Sequence, residues 1–270
     1  MSARPLSLAA ALLMALSVPA AAATKTICTI VAEAPSGKIV KKEGMCDRRV
    51  TPASTFKLAI ALMGYDSGFL IDTQTPELPF KKGYIDWRPQ WRHAQTPQSW
   101  LRESVVWYSQ QITRHLGAER FKAYVDAFDY GNRDVSGDRG KDNGLTNAWL
   151  SSFLRISPKE QIAFLLKLAN RELPVSEKAY EMTAAISDYD VQPSGWHVHG
   201  KTGAGLPVRA DGTKVRGKAY GWFVGWADRG DRTVVFARLI QDGAPRKSPP
   251  SFRARDGLLK DLFSTANPLK

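Results

Sequence analysis

Thr51-Pro52-Ala53-Ser54-Thr55-Phe56-Lys57 sets a serine hydroxyl and a lysine amine three residues apart. On a helix, positions i and i+3 share a face, so the two side chains can meet. The flanking residues predict a helix here. Thr51 suits the N-cap, Pro52 suits the first helical position, and an apolar run continues from Phe56 through Met63 to about Gly64. Ser54 then falls in the first turn, where backbone N–H groups lack partners and the helix dipole favours negative charge. A nucleophile, a base beside it and an anion-stabilising site are the parts of an acyl-transfer centre. Alone, the pattern also fits an ordinary buried helix containing Ser and Lys, so its meaning rests on the rest of the chain.

On the N-terminal side, Ile27-Cys28-Thr29-Ile30-Val31 and Lys38-Ile39-Val40-Lys41 read as strands around the turn residues Pro35-Ser36-Gly37. Folding this hairpin brings Cys28 opposite Met45 and Cys46, and a Cys28–Cys46 disulfide is expected in place of two free buried thiols. Residues 1–23 read as a secretory signal: Arg4 gives the positive start, Leu6 to Val18 the apolar stretch, and Ala21-Ala22-Ala23 the small residues for cleavage. The apolar stretch is short for a membrane span, and no later segment is long enough for one. The expectation is an exported, periplasmic protein, in a compartment that permits disulfides, with residues 24–270 forming a single catalytic domain.

On the C-terminal side, residues 72–98 show no regular period. From Thr96-Pro97 onward Leu101, Val105, Tyr108, Ile112 and Leu116 recur with the 3.6-residue period; Gly117 punctuates it, and Phe121, Tyr124, Val125 and Phe128 continue the period in a second helix. Tyr130-Gly131-Asn132 stops that helix. Ser157-Pro158-Lys159-Glu160 is a capping box opening a helix to about Asn170, and another runs from Ser176 to about Ile186. Trp196–Thr202, Tyr220–Ala227 and Thr233–Gln241 read as sequential antiparallel strands, followed by a helix over Phe252–Phe263. The predicted class is α+β: an antiparallel sheet built from both chain ends, flanked by helices, with an inserted helical subdomain.

The chain has 270 residues, 43% of them apolar, and a formal charge of +12. The Lys and Arg are spread along it without a nucleic-acid-binding signature, so nucleic acid is not the expected partner. A basic surface favours anionic small molecules. His197 and His199 alternate on a strand and share one face, but the sequence offers no third ligand beside them, and no metal is expected.

Four more features follow Ser54 and Lys57 in order: Ser104-Val105-Val106, Tyr130-Gly131-Asn132, Trp149-Leu150, and Lys201-Thr202-Gly203 on a strand. Each has an ordinary structural explanation singly. Together they form the ordered motif set of one family, and over nearly all of residues 24–270 the chain closely resembles the class D serine β-lactamases, the oxacillinase-type enzymes. Gly221-Trp222-Phe223-Val224-Gly225-Trp226 and Leu154-Arg155-Ile156-Ser157-Pro158 agree as well.

The resemblance implies roles. Ser54 is the nucleophile, and Lys57 its base as an N-carboxylysine formed with carbon dioxide, the only modifier expected and no organic cofactor. Only a neutral amine attacks carbon dioxide, and burial favours the neutral form. Phe56, Val106, Trp149 and Leu150 are candidates for an apolar lining, with the Trp149 N–H as a donor to the carbamate. Ser104 relays a proton toward the leaving nitrogen, Lys201 raises positive potential there, and the backbone N–H groups of Ser54 and Ala204 form an oxyanion hole. The strand edge at Lys201-Thr202-Gly203 docks a β-lactam, whose carboxylate falls to Thr202 and an arginine. Arg255, with Leu258 and Leu262 at the expected offsets, fits better than Arg253, and Arg246 is a further candidate. Tyr130 and Asn132 shape the site, Tyr130 on its substrate-binding side. Two alternatives share these motifs: a penicillin-binding transpeptidase or carboxypeptidase, which favours a polar Asn where Val106 stands, and a sensor domain that acylates without turnover. A monomer and a homodimer are both compatible with the sequence.

Overall fold

The computed structural model describes residues 23–209, 213–266 and 269. The predicted leader falls outside these residues except for its last position. The order of elements is β1 (Lys25–Ala34), β2 (Ile39–Gly44), a 3₁₀ turn (Ala53–Phe56), α1 (Lys57–Asp66), α2 (Pro97–Glu103), α3 (Val106–Ala127), α4 (Gly144–Asn147), α5 (Pro158–Ala169), α6 (Glu177–Ile186), β3 (Asp188–Val191), β4 (His197–Gly205), β5 (Tyr220–Arg229), β6 (Arg232–Gln241) and α7 (Pro250–Phe263). The six strands form one sheet in the order β2-β1-β6-β5-β4-β3, antiparallel throughout. Pairing of β1 with β6 joins the two ends of the chain, as predicted.

Both faces of the sheet are covered, which is why β5 and β6 read as nearly continuous apolar runs and not as a clean alternation. Trp222, Val224 and Trp226 face the helical layer, in one core with Phe56, Ile60, Trp107 and Trp149. Phe223 and Ala227 face the other way, toward Ala254, Leu258 and Leu262 of α7. Burial on this scale stabilises by about 25 cal/mol per Å² of apolar surface. The outer strand β2 is left mostly exposed and carries Lys41, Lys42 and Glu43, charges that discourage pairing with another sheet.

The disulfide joins Cys28 to Cys46, with a Cα–Cα distance of 5.1 Å, within the usual range. Cys28 is in register with Gly44 itself, one residue short of the predicted partners. Gly44 has φ +81°, and a Cβ there would stand 2.2 Å from the Ile27 carbonyl oxygen, so the chain can turn toward Cys46 only through glycine.

Three sequence expectations are corrected. Thr51 caps no helix: its hydroxyl pairs with the Tyr220 phenol, and the segment begins as a 3₁₀ turn without a side-chain cap. The helix predicted from Thr96 is interrupted at Ser104, which takes a left-handed conformation (φ +61°) between α2 and α3; Leu101 and Val105 keep the apolar period across the break, so the pattern does not reveal it. Strand β3 was not legible: Asp188-Tyr189-Asp190-Val191 lacks a β-branched run, and Asp190 itself has φ +61°.

Candidate active site

The 3₁₀ turn that bears Ser54 is held from three sides. The Trp222 indole donates to the Thr51 carbonyl at 3.1 Å from β5. Gln161 of α5 donates to the Thr55 hydroxyl at 3.1 Å. Gly203 of β4 lies directly against the turn, and a Cβ there would meet the Pro52 carbonyl oxygen at 2.9 Å and the Thr55 amide nitrogen at 3.1 Å. The glycine of the Lys-Thr-Gly motif therefore sets the distance between β4 and Ser54. Ala53 takes φ +50°, a costly conformation for a residue with a Cβ, immediately before Ser54.

Lys57 is fully buried, and its Nζ donates to the Ser54 Oγ at 3.3 Å. Desolvation, and then the charges of Lys201 and Arg88, push its pKa well below the usual lysine range. Lys201, 2% exposed, is pushed to about 7, first by burial and then by Arg88 and Arg255, against the opposing pull of Glu103. Ser54 thus has beside it one amine, Lys57, biased toward neutrality, the state that accepts a proton or attacks an electrophile, while the Lys201 Nζ donates to the Thr202 carbonyl at 3.1 Å.

Trp149 is completely buried against Phe56 and Phe121, with ring centroids 5.8 and 6.4 Å away, and its Nε1 has no hydrogen-bond partner. A buried N–H without an acceptor costs about 1–3 kcal/mol, and it is the feature expected where a further oxygen is to be held. Val106 begins α3 and is buried, so the wall it provides is apolar. Ser104 stays partly exposed in its left-handed turn, next to the Glu103 whose charge acts on Lys201.

Lys201 and Thr202 alternate on β4. Lys201 pairs across the sheet with Val224 on the helical side, whereas Thr202 pairs with Phe223 on the α7 side. Strand β3 is in register with β4 only at His197 and His199, so the outer edge of β4 from Lys201 to Gly205 has no strand partner among the described residues. A ligand laid along that edge meets groups from both faces. Arg255 lies over the Tyr189 ring at 6.0 Å, and Thr202 and Arg255 both act on the Tyr189 phenol. Arg253 is bound to the buried Asp242 and to Ser248, whereas Arg255 pairs with the exposed Asp256 at 2.8 Å, which leaves Arg255 as the better placed of these two arginines.

Tyr130 needs correction as a substrate-binding residue. It is buried behind the turn, 4.9 Å from Phe56 and 5.0 Å from Phe164, and accepts from Gln161 at 3.4 Å. Its place is support for the Ser54 turn, because Gln161 also holds Thr55. Asn132 pins the following loop by donating to the Phe153 carbonyl at 2.8 Å and accepting from the Arg155 amide at 2.8 Å. Arg88 carries no signal in the sequence. It sits in the aperiodic stretch, where Trp91 fixes its turn by donating to the Glu103 carbonyl at 3.0 Å.

A buried lysine on a serine, both packed against a Lys-Thr-Gly strand of an antiparallel sheet, defines a serine acyl-transfer enzyme of the penicillin-recognising type. The penicillin binding protein transpeptidase domain family matches residues 20–263. β-Lactamase OXA-9 of Klebsiella pneumoniae is 46% identical over 236 residues, covering 87% of this chain and 86% of its own. β-Lactamase OXA-1 of Escherichia coli is 42% identical over 227 residues, covering 82% and 77%. The crystal structure of the OXA-427 class D β-lactamase superposes with a TM-score of 0.83 at 48% identity, covering 87% of this chain and 96% of that one. The chain belongs to the class D β-lactamases.

Proposed function

We propose that the site hydrolyses penicillin-type β-lactams through an acyl-enzyme on Ser54. The observation that supports this best is the fully buried Lys57, hydrogen-bonded to the Ser54 hydroxyl at 3.3 Å. Ser54 Oγ attacks the lactam carbonyl carbon, and its proton leaves toward Lys57. Backbone N–H groups of Ser54 and Ala204 receive the developing oxyanion, each donor contributing about 3–4 kcal/mol to the transition state. The carbon–nitrogen bond then breaks, and the lactam nitrogen takes a proton by way of Ser104 while Lys201 provides positive potential. Thr202 and Arg255 hold the substrate carboxylate, for which a planar guanidinium is suited. Water attacks the ester, releasing the ring-opened acid and restoring Ser54.

Lys57 fits modification by carbon dioxide, and the unpartnered N–H of Trp149 fits a carbamate oxygen. Held in this way, the group supplies a general base for both half-reactions. The Cys28–Cys46 disulfide supports an oxidising, periplasmic location, and no helix among the described residues is long and apolar enough to cross a membrane.

Intact mass and turnover with a penicillin, measured together with and without bicarbonate, test the proposal. Hydrolysis raised by bicarbonate, a transient adduct on Ser54, and loss of turnover in Lys57→Ala are expected. A lasting Ser54 adduct without turnover in bicarbonate would overturn it in favour of a sensor.

A further inference from the structure

Beyond the Ser54 centre, the sheet brings together three side chains that the sequence keeps apart. His197 and His199 stand on one face of β4, with ring centroids 4.5 Å apart. Asp188 of β3 is in register with His199, and its carboxylate is 2.8 Å from His197 Nε2. Ligand atoms from all three lie within 4.8 Å of one another. The third ligand missing from the sequence is therefore supplied by the strand that the sequence did not reveal.

We propose that Asp188, His197 and His199 bind a divalent transition metal of the zinc type, as a clamp between β3 and β4 within a single chain. Two imidazoles and a carboxylate suit zinc, copper or nickel, whereas magnesium and calcium prefer all-oxygen shells. His199 is prepared for this role. Its Nδ1 lies 3.1 Å from the Ala184 carbonyl, which fixes the proton on Nδ1 and leaves Nε2 as the free lone pair. Its ring is stacked on Trp226 at 5.0 Å, which fixes its plane. Asp228 is in register with His197 on β5 and adds negative charge to the same face. A tetrahedral set with bonds of about 2.0–2.1 Å needs ligand atoms about 3.3 Å apart. His197 and Asp188, both partly exposed, reach that spacing by giving up their own 2.8 Å hydrogen bond, while His199 stays fixed. Open positions on the metal face solvent, so water completes the shell.

Metal would tie down a four-residue edge strand otherwise in register with β4 at two positions, and it would do so next to the open edge at Lys201. The test is titration of chelator-treated full-length protein with Co²⁺, followed by absorbance, and with Zn²⁺ in competition, with thermal unfolding in parallel. One equivalent per chain is expected, with a rise in Tm on zinc addition and little response to Mg²⁺. His197→Asn and Asp188→Asn, both at solvent-accessible positions, should each weaken binding by at least about tenfold and abolish the Tm rise. His93→Asn should change neither. No binding at millimolar zinc, binding that survives the His197 and Asp188 changes together, or half an equivalent per chain with dimer formation would each overturn the single-chain clamp. β-Lactam turnover is not a readout, so the result is independent of the function proposed for Ser54.

Discussion

The informative residue is Trp149, whose N–H is sealed in the core with nothing to bond. Trp149→Phe keeps the ring packing and removes only the donor. It should slow deacylation more than acylation, raise the bicarbonate concentration needed for half-maximal activity, and let the acyl-enzyme accumulate in mass spectra. Equal slowing of both steps would argue against a carbamate-holding role. Arg88 acts differently, through its charge. It lowers the pKa of both active-site lysines, and Lys201 is cationic only below about 7. The alkaline limb of kcat/KM for the free enzyme should therefore begin near that value, and Arg88→Ala should move it to higher pH. A limb that stays in place would show that Lys201 is not the titrating group. Ser54 and Lys57 were visible in the sequence through their three-residue spacing, whereas Lys201 and Trp149 gained meaning only through the resemblance to a known family. Arg88 was not visible, because a cation in an aperiodic loop acts through space and leaves no pattern.

At the scale of elements, the site depends on how closely β4 approaches the Ser54 turn. Gly203→Val would place new atoms against the Pro52 carbonyl and Thr55, pushing the strand away. Its kcat/KM should fall by about a hundredfold, since displacements near 1 Å cost that much, while thermal unfolding shows the protein still folded. Activity near the wild-type value would mean that β4 is not positioned by this contact. The elements differ in how readable they were. Strands β4, β5 and β6 announced themselves through aromatic and β-branched runs, and α5 through its capping box, which forms as expected between Ser157 and Glu160. Ser104 hid inside an unbroken apolar period, because the turn it makes costs no register on the buried side. Strand β3 hid because its four residues are polar or exposed, and only pairing with β4 makes them a strand.

For the molecule as a whole, two buried lysines tie stability to pH. Lys201 holds its proton less readily in the folded chain, with a pKa of about 7, than at its ordinary value of 10.5. Between those values the unfolded chain binds more protons, so stability should rise with pH across this window, by at most about 1.4 kcal/mol per pH unit for one lysine. Below about 7 that contribution is absent. Lys57 shifts in the same direction. Urea unfolding at several pH values between 7 and 10 checks this, and Lys201→Met should flatten the dependence. An unchanged slope in that variant would assign the effect elsewhere. The α+β class and the joining of chain ends were legible because strand-forming segments occur at the two extremes of the sequence.

That joining of chain ends also fixes an order of events. Strand β1 lies between β2 and β6, and its pairing with β6 brings Lys25 beside Gln241. A chain emerging N-terminus first therefore leaves one edge of the largely apolar strand β1 unpaired until residues 232–241 have arrived. The disulfide-bonded hairpin can form early, but it must wait with that edge unpaired while the helical layer is made. A chaperone that binds extended apolar segments has its natural target there, and a nascent chain stalled before β6 should be captured through β1.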